Sequence, residues 1–338
     1  MVLKKFFIGL LIGMFVLSAL ALAIPASAAE KEIVELKLLS SKFGSRAYLL
    51  SVAVSEILKE KHPWLRAFVV STTGTLENIK TPYENPALRK YALGQTMNFN
   101  IIWAMQGNHP FDRKYPGLQA VFTVGHTGGV IMTLNPKIKT PEDLVGKKVG
   151  VWPVGHSMNV MCMLNLKAWG IGDKITPKAM GPTAMSDALR DGLLDAVFMS
   201  ATEAPKRWVA SPAWEKVLLV KRGYFISPDE KIRKKIEETT GVRFALISVK
   251  AKEFSKNQPE PVNMLAGSTI WLCYKDVPEK WIYELVKTMA DNIKMMGMFH
   301  KSGEVLTPAR LAGWLHTPRE LVHPGALKYY DEKGLKVE

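Results

Sequence analysis

The sequence predicts a protein of the α/β class, built from mostly parallel sheets flanked by helices. Short apolar runs typical of strands alternate with amphipathic stretches typical of helices along most of the chain. Strands separated by helices pair in parallel, so this alternation indicates βαβ units. With 338 residues and only two cysteines, the chain is long enough for apolar cores, rather than disulfides, to stabilise it.

The elements follow one another in a regular order. Val34–Ser40 reads as a strand, Ala47–Lys61 as an amphipathic helix and Ala67–Thr72 as a second strand. The predicted strands continue at Phe99–Ala104, Gly129–Leu134, Lys148–Trp152, Ile175–Met180 and Asp195–Ala201, and the predicted helices at Met158–Trp169 and Met185–Asp191.

The first 28 residues have the pattern of a secretory signal peptide. Lys4 and Lys5 precede an apolar run from Phe6 to Ala23, and small residues follow at positions 26–28. We therefore expect export to the periplasm with cleavage near Ala28. The alternative is an uncleaved membrane anchor, because the apolar run is nearly long enough to span a bilayer.

The charge balance favours anionic small molecules over nucleic acid. The net charge is +14, and residues 1–28 carry only two of the basic residues, so the exported chain stays basic and attracts anions by long-range steering. No polybasic block with interleaved aromatic residues is present, so no nucleic acid partner is expected. Metal-ligand spacings and phosphate-loop motifs are also missing, and no cofactor or metal is expected.

The two cysteines leave one question open. Cys162 and Cys273 are far apart in sequence, and they would be exported to an oxidising compartment where a single bridge can form. Two unpaired buried thiols are an equally good interpretation, since the sequence alone does not place the two Cα atoms within bonding reach.

Small or polar residues stand at the ends of four of the predicted strands. They are Lys42–Ser45, Ser71–Thr75, Trp103-Ala104 and Val154–Ser157. Open α/β sheets bind ligands in the crevice at the carboxyl ends of their strands, where helix N-termini can also present N–H donors to an anion. A carboxylate, sulfonate or phosphate suits such a crevice, although ordinary helix capping explains any one of these loops equally well.

Four segments in this order resemble the TAXI family of solute receptors, which serve TRAP transporters. Ser71–Asn78 reads S-T-T-G-T-L-E-N and is similar to the family's S-T-G-G-S-x-x-N loop. Thr140–Val149 is similar to its D-L-K-G-K-R-V step into a strand, and Leu189–Phe198 to its L-x-x-G-x-x-D-A-x-F element. His323–Tyr330 reads H-P-G-A-L-K-Y-Y and resembles the family's H-P-G-A-x-x-Y-Y signature.

The resemblance implies the two-lobed, type II-like fold of periplasmic binding proteins, with hinge strands between the lobes. Gly129–Leu134 would be the first crossing strand and Val262–Leu272 the return. Residues 29–134 and 263–338 would then form lobe 1, and residues 135–262 lobe 2. The family also implies a non-enzymatic receptor that encloses a small organic anion as the lobes close and delivers it to the TRAP membrane permease. We expect a monomer.

Several residues depart from the family pattern and point to an unusual solute. Arg46 stands close to where a small hydroxyl residue is expected, and its planar guanidinium can pair a carboxylate with two hydrogen bonds. Trp103, Trp152 and His156 replace small polar residues of the third and fourth loops. If these rings face the cleft, the solute has an apolar or aromatic body beside its anionic group.

The expected ligand-binding residues come from all of these loops and from the end of the Asp195–Ala201 strand. They are Ser41, Gly44, Ser45, Arg46, Tyr48, Thr73, Gly74, Thr75, Asn78, Asn100, Trp103, Trp152, Gly155, His156, Ser157 and Thr202. Arg46 is the expected anion anchor, and its replacement by alanine is expected to weaken binding with little change in stability.

Two other functional interpretations remain open from the sequence. A binding protein that feeds an ABC importer or a sensor kinase would have the same two-lobed architecture. The segment Gly155–Asn159 also resembles the G-x-S-x-G nucleophile elbow of α/β-hydrolases, with Ser157 as the nucleophile, but Asn159 replaces the final glycine.

Overall fold

A computed structural model describes residues 32–337 of the chain. The predicted signal peptide and its cleavage site near Ala28 lie outside the described residues. Within residues 32–337, no helix is both long enough and apolar enough to cross a membrane.

Strands and helices alternate through most of the described chain. The strands are β1 (Val34–Leu39), β2 (Leu65–Val70), β3 (Ala92–Met97), β4 (Leu118–Thr133), β5 (Lys148–Val151), β6 (Thr176–Ala179), β7 (Ala196–Ala204), β8 (Arg207–Ala210), β9 (Tyr224–Ile226), β10 (Ala245–Val249) and β11 (Val262–Tyr274). The α-helices are α1 (Arg46–Lys61), α2 (Thr75–Glu84), α3 (Pro86–Arg89), α4 (Phe99–Gln106), α5 (Ser157–Ala168), α6 (Pro182–Arg190), α7 (Pro212–Val220), α8 (Glu230–Thr240), α9 (Glu279–Asp291), α10 (Met296–Phe299), α11 (Pro308–Gly313) and α12 (Pro324–Glu332).

One continuous mixed sheet connects these elements, which confirms the predicted α/β class. Its main order is β2-β1-β3-β11-β4-β7-β5-β6. β1 is parallel to β3, and β5 is parallel to β6 and β7. The two longest strands, β4 and β11, are antiparallel neighbours in the middle of this order. They separate a first group of strands, β1–β3, from a second group, β5–β7.

The third predicted strand is wrong. Phe99–Ala104 lies in helix α4, and the strand is the preceding stretch Ala92–Met97. That stretch contains Gly94, Gln95 and Thr96, so its sequence lacks the β-branched and apolar enrichment typical of a buried strand. A Cβ at Gly94 would lie 2.9 Å from the carbonyl oxygen of Asn78, so the close packing of α2 on β3 requires glycine here.

The segment that resembles the H-P-G-A-x-x-Y-Y signature packs helix α12 onto its neighbours. His323 is the N-cap of α12, and its Nδ1 accepts a hydrogen bond from the backbone N–H of Gly325. A Cβ at Gly325 would clash with the backbone carbonyl of Glu279 in α9. The Tyr330 hydroxyl donates to the carbonyl of Val121 in β4 at 2.7 Å. These contacts give the signature residues roles in packing.

Both cysteines are free and buried in the fold. Cys162 lies in a core cluster with residues of β4, β5 and β7, and burial raises the pKa of both thiols far above the ordinary range. Thiols in this state are inert, so the interpretation as two unpaired buried cysteines describes this structure.

Candidate functional site

Two loops meet at the carboxyl ends of the strands that they follow, and these strands lie on opposite sides of the central pair β4 and β11. The loop between β2 and α2 contacts the loop between β5 and α5, and the backbone N–H of Leu76 donates to the carbonyl of Gly155 at 3.3 Å. Gly155 has a φ of +91°, and a Cβ there would lie 3.3 Å from the Leu76 Cβ. Glycine therefore permits this approach. We call the region where the loops meet the crevice.

Four polar side chains join the two sides of the crevice, and we call them the bridging cluster: Thr75, Thr96, Asn100 and Ser157. Thr75 Oγ1 and Ser157 Oγ are 2.5 Å apart, and Thr96 donates its hydroxyl to Thr75 at 3.0 Å. The Asn100 amide nitrogen donates to both Thr96 Oγ1 and Ser157 Oγ, at 3.1 and 2.9 Å. All four residues are buried, so the cluster is a shielded polar contact between α2, β3, α4 and α5.

Arg46 lies beside the two central strands, in what we call the hinge cluster: Arg46, Thr127, Thr269 and Ser302. Arg46 Nε donates to Ser302 Oγ at 2.9 Å, and Nη2 donates to the carbonyl of Val124 at 2.9 Å. Nη1 lies 3.3 Å from Thr127 Oγ1 and 3.4 Å from Thr269 Oγ1. The guanidinium therefore bonds only to neutral oxygens in this cluster.

The hinge cluster destabilises the charge that it holds. Desolvation lowers the pKa of Arg46 from its ordinary value to about 10, although the carboxylate of Glu203 opposes this effect. Gly125 has a φ of +106°, and a Cβ there would lie 3.2 Å from Arg46 Nη2. A side chain at this position would crowd the guanidinium, so Gly125 shapes the space that Arg46 occupies.

Glu203 belongs to a chain of ionisable groups next to the hinge cluster. Its Oε2 is 3.1 Å from His126 Nδ1, and its Oε1 is 3.7 Å from Arg310 Nη1. His126 Nε2 lies 3.2 Å from His316 Nε2. The His126 ring also packs on Trp314, with ring centroids 4.3 Å apart. Glu203 is thus held in position by these neighbours. It acts on the charge of Arg46 only through longer-range electrostatic attraction.

His156 is a neutral N-cap at the crevice. Its Nδ1 accepts from the backbone N–H of Met158, and its ring stacks on Trp152 at 4.6 Å between centroids. Burial, together with the nearby Lys42 charge, lowers the pKa of His156 to about 4. Trp152 donates its indole N–H to the carbonyl of Phe198 at 2.9 Å, so its polar atom bonds within the protein rather than in the crevice.

Asn78 supports the loops rather than presenting a free amide. Its Nδ2 donates to the carbonyls of Ser40 and Gln95, both at 2.7 Å, and its Oδ1 accepts from Thr72 at 2.7 Å. Thr73 is tied to Glu77 through its backbone N–H and its hydroxyl. In this structure Asn78 and Thr73 position the β2–α2 loop.

The first loop also forms local structure. The carbonyl of Ser41 accepts from Ser71 and Thr72, and Ser45 is the N-cap of α1, accepting from the backbone N–H of Tyr48. The Tyr48 ring packs on Phe43 with centroids 5.0 Å apart. Gly44 has a φ of +74° and is exposed, so its contribution is the turn into α1.

Two expected site residues lie in different settings from those predicted. Trp103 is within α4, not at a strand end, and its indole N–H donates to the carbonyl of His109. Thr202 does not end its strand, because β7 continues to Ala204 and pairs with β8. It lies opposite Thr127 of β4, beside the hinge cluster. Both settings are predicted wrongly from the sequence. The apolar run around Trp103 is helical rather than extended, and the polar residues around Thr202 continue the strand rather than ending it.

Sequence reasoning missed four residues of the two clusters: Thr96, Thr127, Thr269 and Ser302. Thr96 was hidden by the misplaced third strand. Thr127 and Thr269 lie inside long strands, where nothing in the sequence separates a threonine facing the site from one packed elsewhere. Ser302 reaches Arg46 from 256 positions away, and no local pattern reports such a contact.

Several solved structures are similar to this chain. A structural resemblance links it to the periplasmic aliphatic sulphonate binding protein SsuA from Escherichia coli, with 15% identity, a TM-score of 0.46, and coverage of 89% of this chain and 94% of that one. MatC from Rhodopseudomonas palustris, solved with bound malate, shows 11% identity and a TM-score of 0.49, covering 90% of this chain and 97% of that one. A TctC solute binding protein from Polaromonas shows 10% identity and a TM-score of 0.45, covering 92% and 91%.

No curated protein matches the sequence. Residues 40–334 match the profile of the NMT1-like family, and they include every element from α1 to α12 together with both clusters of the candidate site. The chain belongs to the NMT1-like family.

Proposed function

We propose that this protein is an exported receptor that captures a small organic anion in the crevice and delivers it to a membrane permease. The observation that carries the proposal is the hinge cluster, in which a desolvated guanidinium has only neutral oxygens as hydrogen-bond partners. A carboxylate or sulfonate that reached Arg46 would gain a charge-assisted hydrogen bond in a partly desolvated site. Membership of the NMT1-like family supports a role in solute binding.

The capture mechanism that we propose is closure of two lobes around the solute. Lobe 1 is residues 29–134 with 263–338, and lobe 2 is residues 135–262. The bridging cluster supports this mechanism because its bonds join Thr75 and Asn100 of the first lobe to Ser157 of the second. A solute that contacts both lobes binds the closed form better than the open form, and therefore shifts the population towards closure.

The proposed role of Ser157 is binding rather than catalysis. Its hydrogen-bond partners are the hydroxyl of Thr75 and the amide of Asn100, and neither group is a general base at neutral pH. A nucleophilic serine needs such a base within hydrogen-bond reach.

The finer assignment is a TAXI-type receptor of a TRAP transporter in the periplasm. It is supported by the four sequence segments that resemble that family, of which His323–Tyr330 is the most specific. An ABC importer would require an ATPase subunit, whereas a TRAP system uses an ion gradient. Neighbouring genes for a large multi-span permease would support the assignment, and a neighbouring ATPase gene would contradict it.

A thermal-shift screen of the protein without residues 1–28 tests the proposed function. Carboxylates and sulfonates are each compared with an uncharged analogue of similar size that has no hydrogen-bond donor in place of the anion, such as the methyl ketone or the methyl sulfone. A bound anion at about 100 times its dissociation constant adds ~2.7 kcal/mol of stability, which raises the melting temperature measurably. The effect should disappear in Arg46→Met and persist in Arg190→Met, which changes an exposed arginine of α6. Equal shifts with the anions and their uncharged analogues would contradict anion capture.

A further inference from the structure

One hydrogen-bond acceptor of the bridging cluster has no donor. The carbonyl oxygen of the Asn100 side chain, Oδ1, is buried and has no hydrogen-bond partner. Asn100 itself is fully buried, and an acceptor left unpaired in such a place is destabilising. Both hydrogens of the Asn100 amide are already used, one on Thr96 and one on Ser157.

The opposite orientation of the amide is less favourable. Oδ1 would then accept from hydroxyl groups, but both hydrogens on Nδ2 would lack partners. The observed orientation leaves a single amide atom unpaired, so the hydroxyl and amide network itself fixes the direction of Asn100 Oδ1.

One hydroxyl hydrogen of the bridging cluster also has no acceptor within the cluster. Thr96 donates its only hydroxyl hydrogen to Thr75. Either Thr75 or Ser157 donates across the 2.5 Å contact between them, and whichever hydroxyl accepts there keeps its own hydrogen. One hydroxyl hydrogen of this pair therefore has no acceptor among the four side chains.

We infer that the bridging cluster recognises a solute group that both donates and accepts one hydrogen bond, namely a hydroxyl or a primary amide. Such a group supplies a donor to Asn100 Oδ1 and an acceptor to the remaining hydroxyl hydrogen. A carboxylate or sulfonate, which only accepts hydrogen bonds, can pair with the hydroxyl hydrogen but not with Asn100 Oδ1. The inference rests on the proposed function: with the anionic group assigned to Arg46, the solute class becomes a hydroxy- or amide-bearing organic anion.

Calorimetric titration with matched pairs of anions tests this inference. The probes are 3-hydroxybutyrate against butyrate, mandelate against phenylacetate, and succinamate against levulinate. Within each pair the charge is the same and only the donor–acceptor group or its donor changes. We expect the first member of at least one pair to bind about tenfold to a hundredfold more tightly, because its partner leaves Asn100 Oδ1 unpaired.

Variants of the cluster assign that difference to Asn100. Asn100→Leu keeps a similar volume and removes the acceptor, and Asn100→Ala is the smaller alternative if the leucine variant does not fold. Either should reduce the preference below about threefold. Asn108→Leu makes the same change at an asparagine outside the bridging cluster and should retain the preference.

The outcomes separate this inference from the proposed function. Anions that bind without any preference within the pairs would overturn the inference and leave anion capture standing. A preference that persists in both Asn100 variants would also overturn it, because the recognition would then lie elsewhere. If no anion bound the wild-type protein, both the proposed function and the inference would fail.

Discussion

Replacement of Arg46 by methionine should change the stability of the unliganded protein by much less than its four hydrogen bonds suggest. Two of those bonds are short, at 2.9 Å, and two are long, at 3.3 and 3.4 Å. At ~1 kcal/mol for each short bond and about half that for each long one, their loss costs roughly 3 kcal/mol.

Desolvation of the charge acts in the opposite direction. Desolvation lowers the pKa of Arg46 from its ordinary value to about 10, which corresponds to about 3 kcal/mol against the charged form. Because the side chain is partly exposed, solvent screening reduces this to about 2 kcal/mol. The expected net loss in Arg46→Met is therefore about 1 kcal/mol. The pKa of Arg46 lies well above neutral pH in both states, so the difference should be constant between about pH 7 and 9. At lower pH His300 also contributes, because burial and the nearby Arg46 charge lower the pKa of His300.

Urea unfolding followed by circular dichroism measures this difference. Asn78→Ala is the matched contrast, because Asn78 also makes three short hydrogen bonds but carries no charge; it should lose about 2–4 kcal/mol. A loss above about 3 kcal/mol in Arg46→Met would refute the reasoning, since Arg46 would then be a structural residue rather than a destabilised cation. Equal losses in the two variants would refute it as well.

Two further predictions concern the loops that meet at the crevice. The pKa of His156 is lowered from 6.5 to about 4, so the unfolded chain binds more protons between these values, and the stability of the wild type should fall as the pH drops from 6.5 to 4. His156→Asn, which keeps a capping side chain, should lose less over that window by on the order of 1–2 kcal/mol; parallel curves in urea unfolding would contradict the low pKa. Gly155→Ala should lower stability by about 1–2 kcal/mol because of its φ of +91°, whereas Gly181→Ala, at negative φ with open space, is the control. Equal unfolding midpoints for the two glycine variants would show that the conformation is not strained.

The sequence predicts the fold class well because that signal is local and repeated. The alternation of strands and helices survives in the structure, and helix α1 begins at Arg46, one residue before the predicted start. Strand β3 was missed because Gly94, Gln95 and Thr96 are selected by packing against α2 and its neighbours, and such requirements are not visible in a single sequence.

The candidate site is predicted less completely than the fold. Thr75 and Ser157 are predicted from loops at the ends of predicted strands, and Asn100 from the third loop of the family pattern; the structure brings the three together. Thr127, Thr269 and Ser302 are not predicted from the sequence, because their contacts with Arg46 span long distances in sequence. Position at a strand end is a local property, whereas the partners of a buried charge are set by tertiary structure.

The lobe boundaries at residues 134 and 262 remain predictions. They coincide closely with the end of the central strand β4 (Leu118–Thr133) and the start of the central strand β11 (Val262–Tyr274). Small-angle scattering of the protein with and without a bound anion would test movement between the lobes; an unchanged radius of gyration on binding would favour a single rigid body.

A crystal structure with the tightest-binding anion from the screen tests the central claim most directly. We predict one anion between the two proposed lobes, with its charged group within hydrogen-bond distance of Arg46 and a hydroxyl or amide group bonded to Asn100 Oδ1. An anion bound away from the crevice, with Arg46 still bonded only to Val124, Thr127, Thr269 and Ser302 as here, would contradict the account.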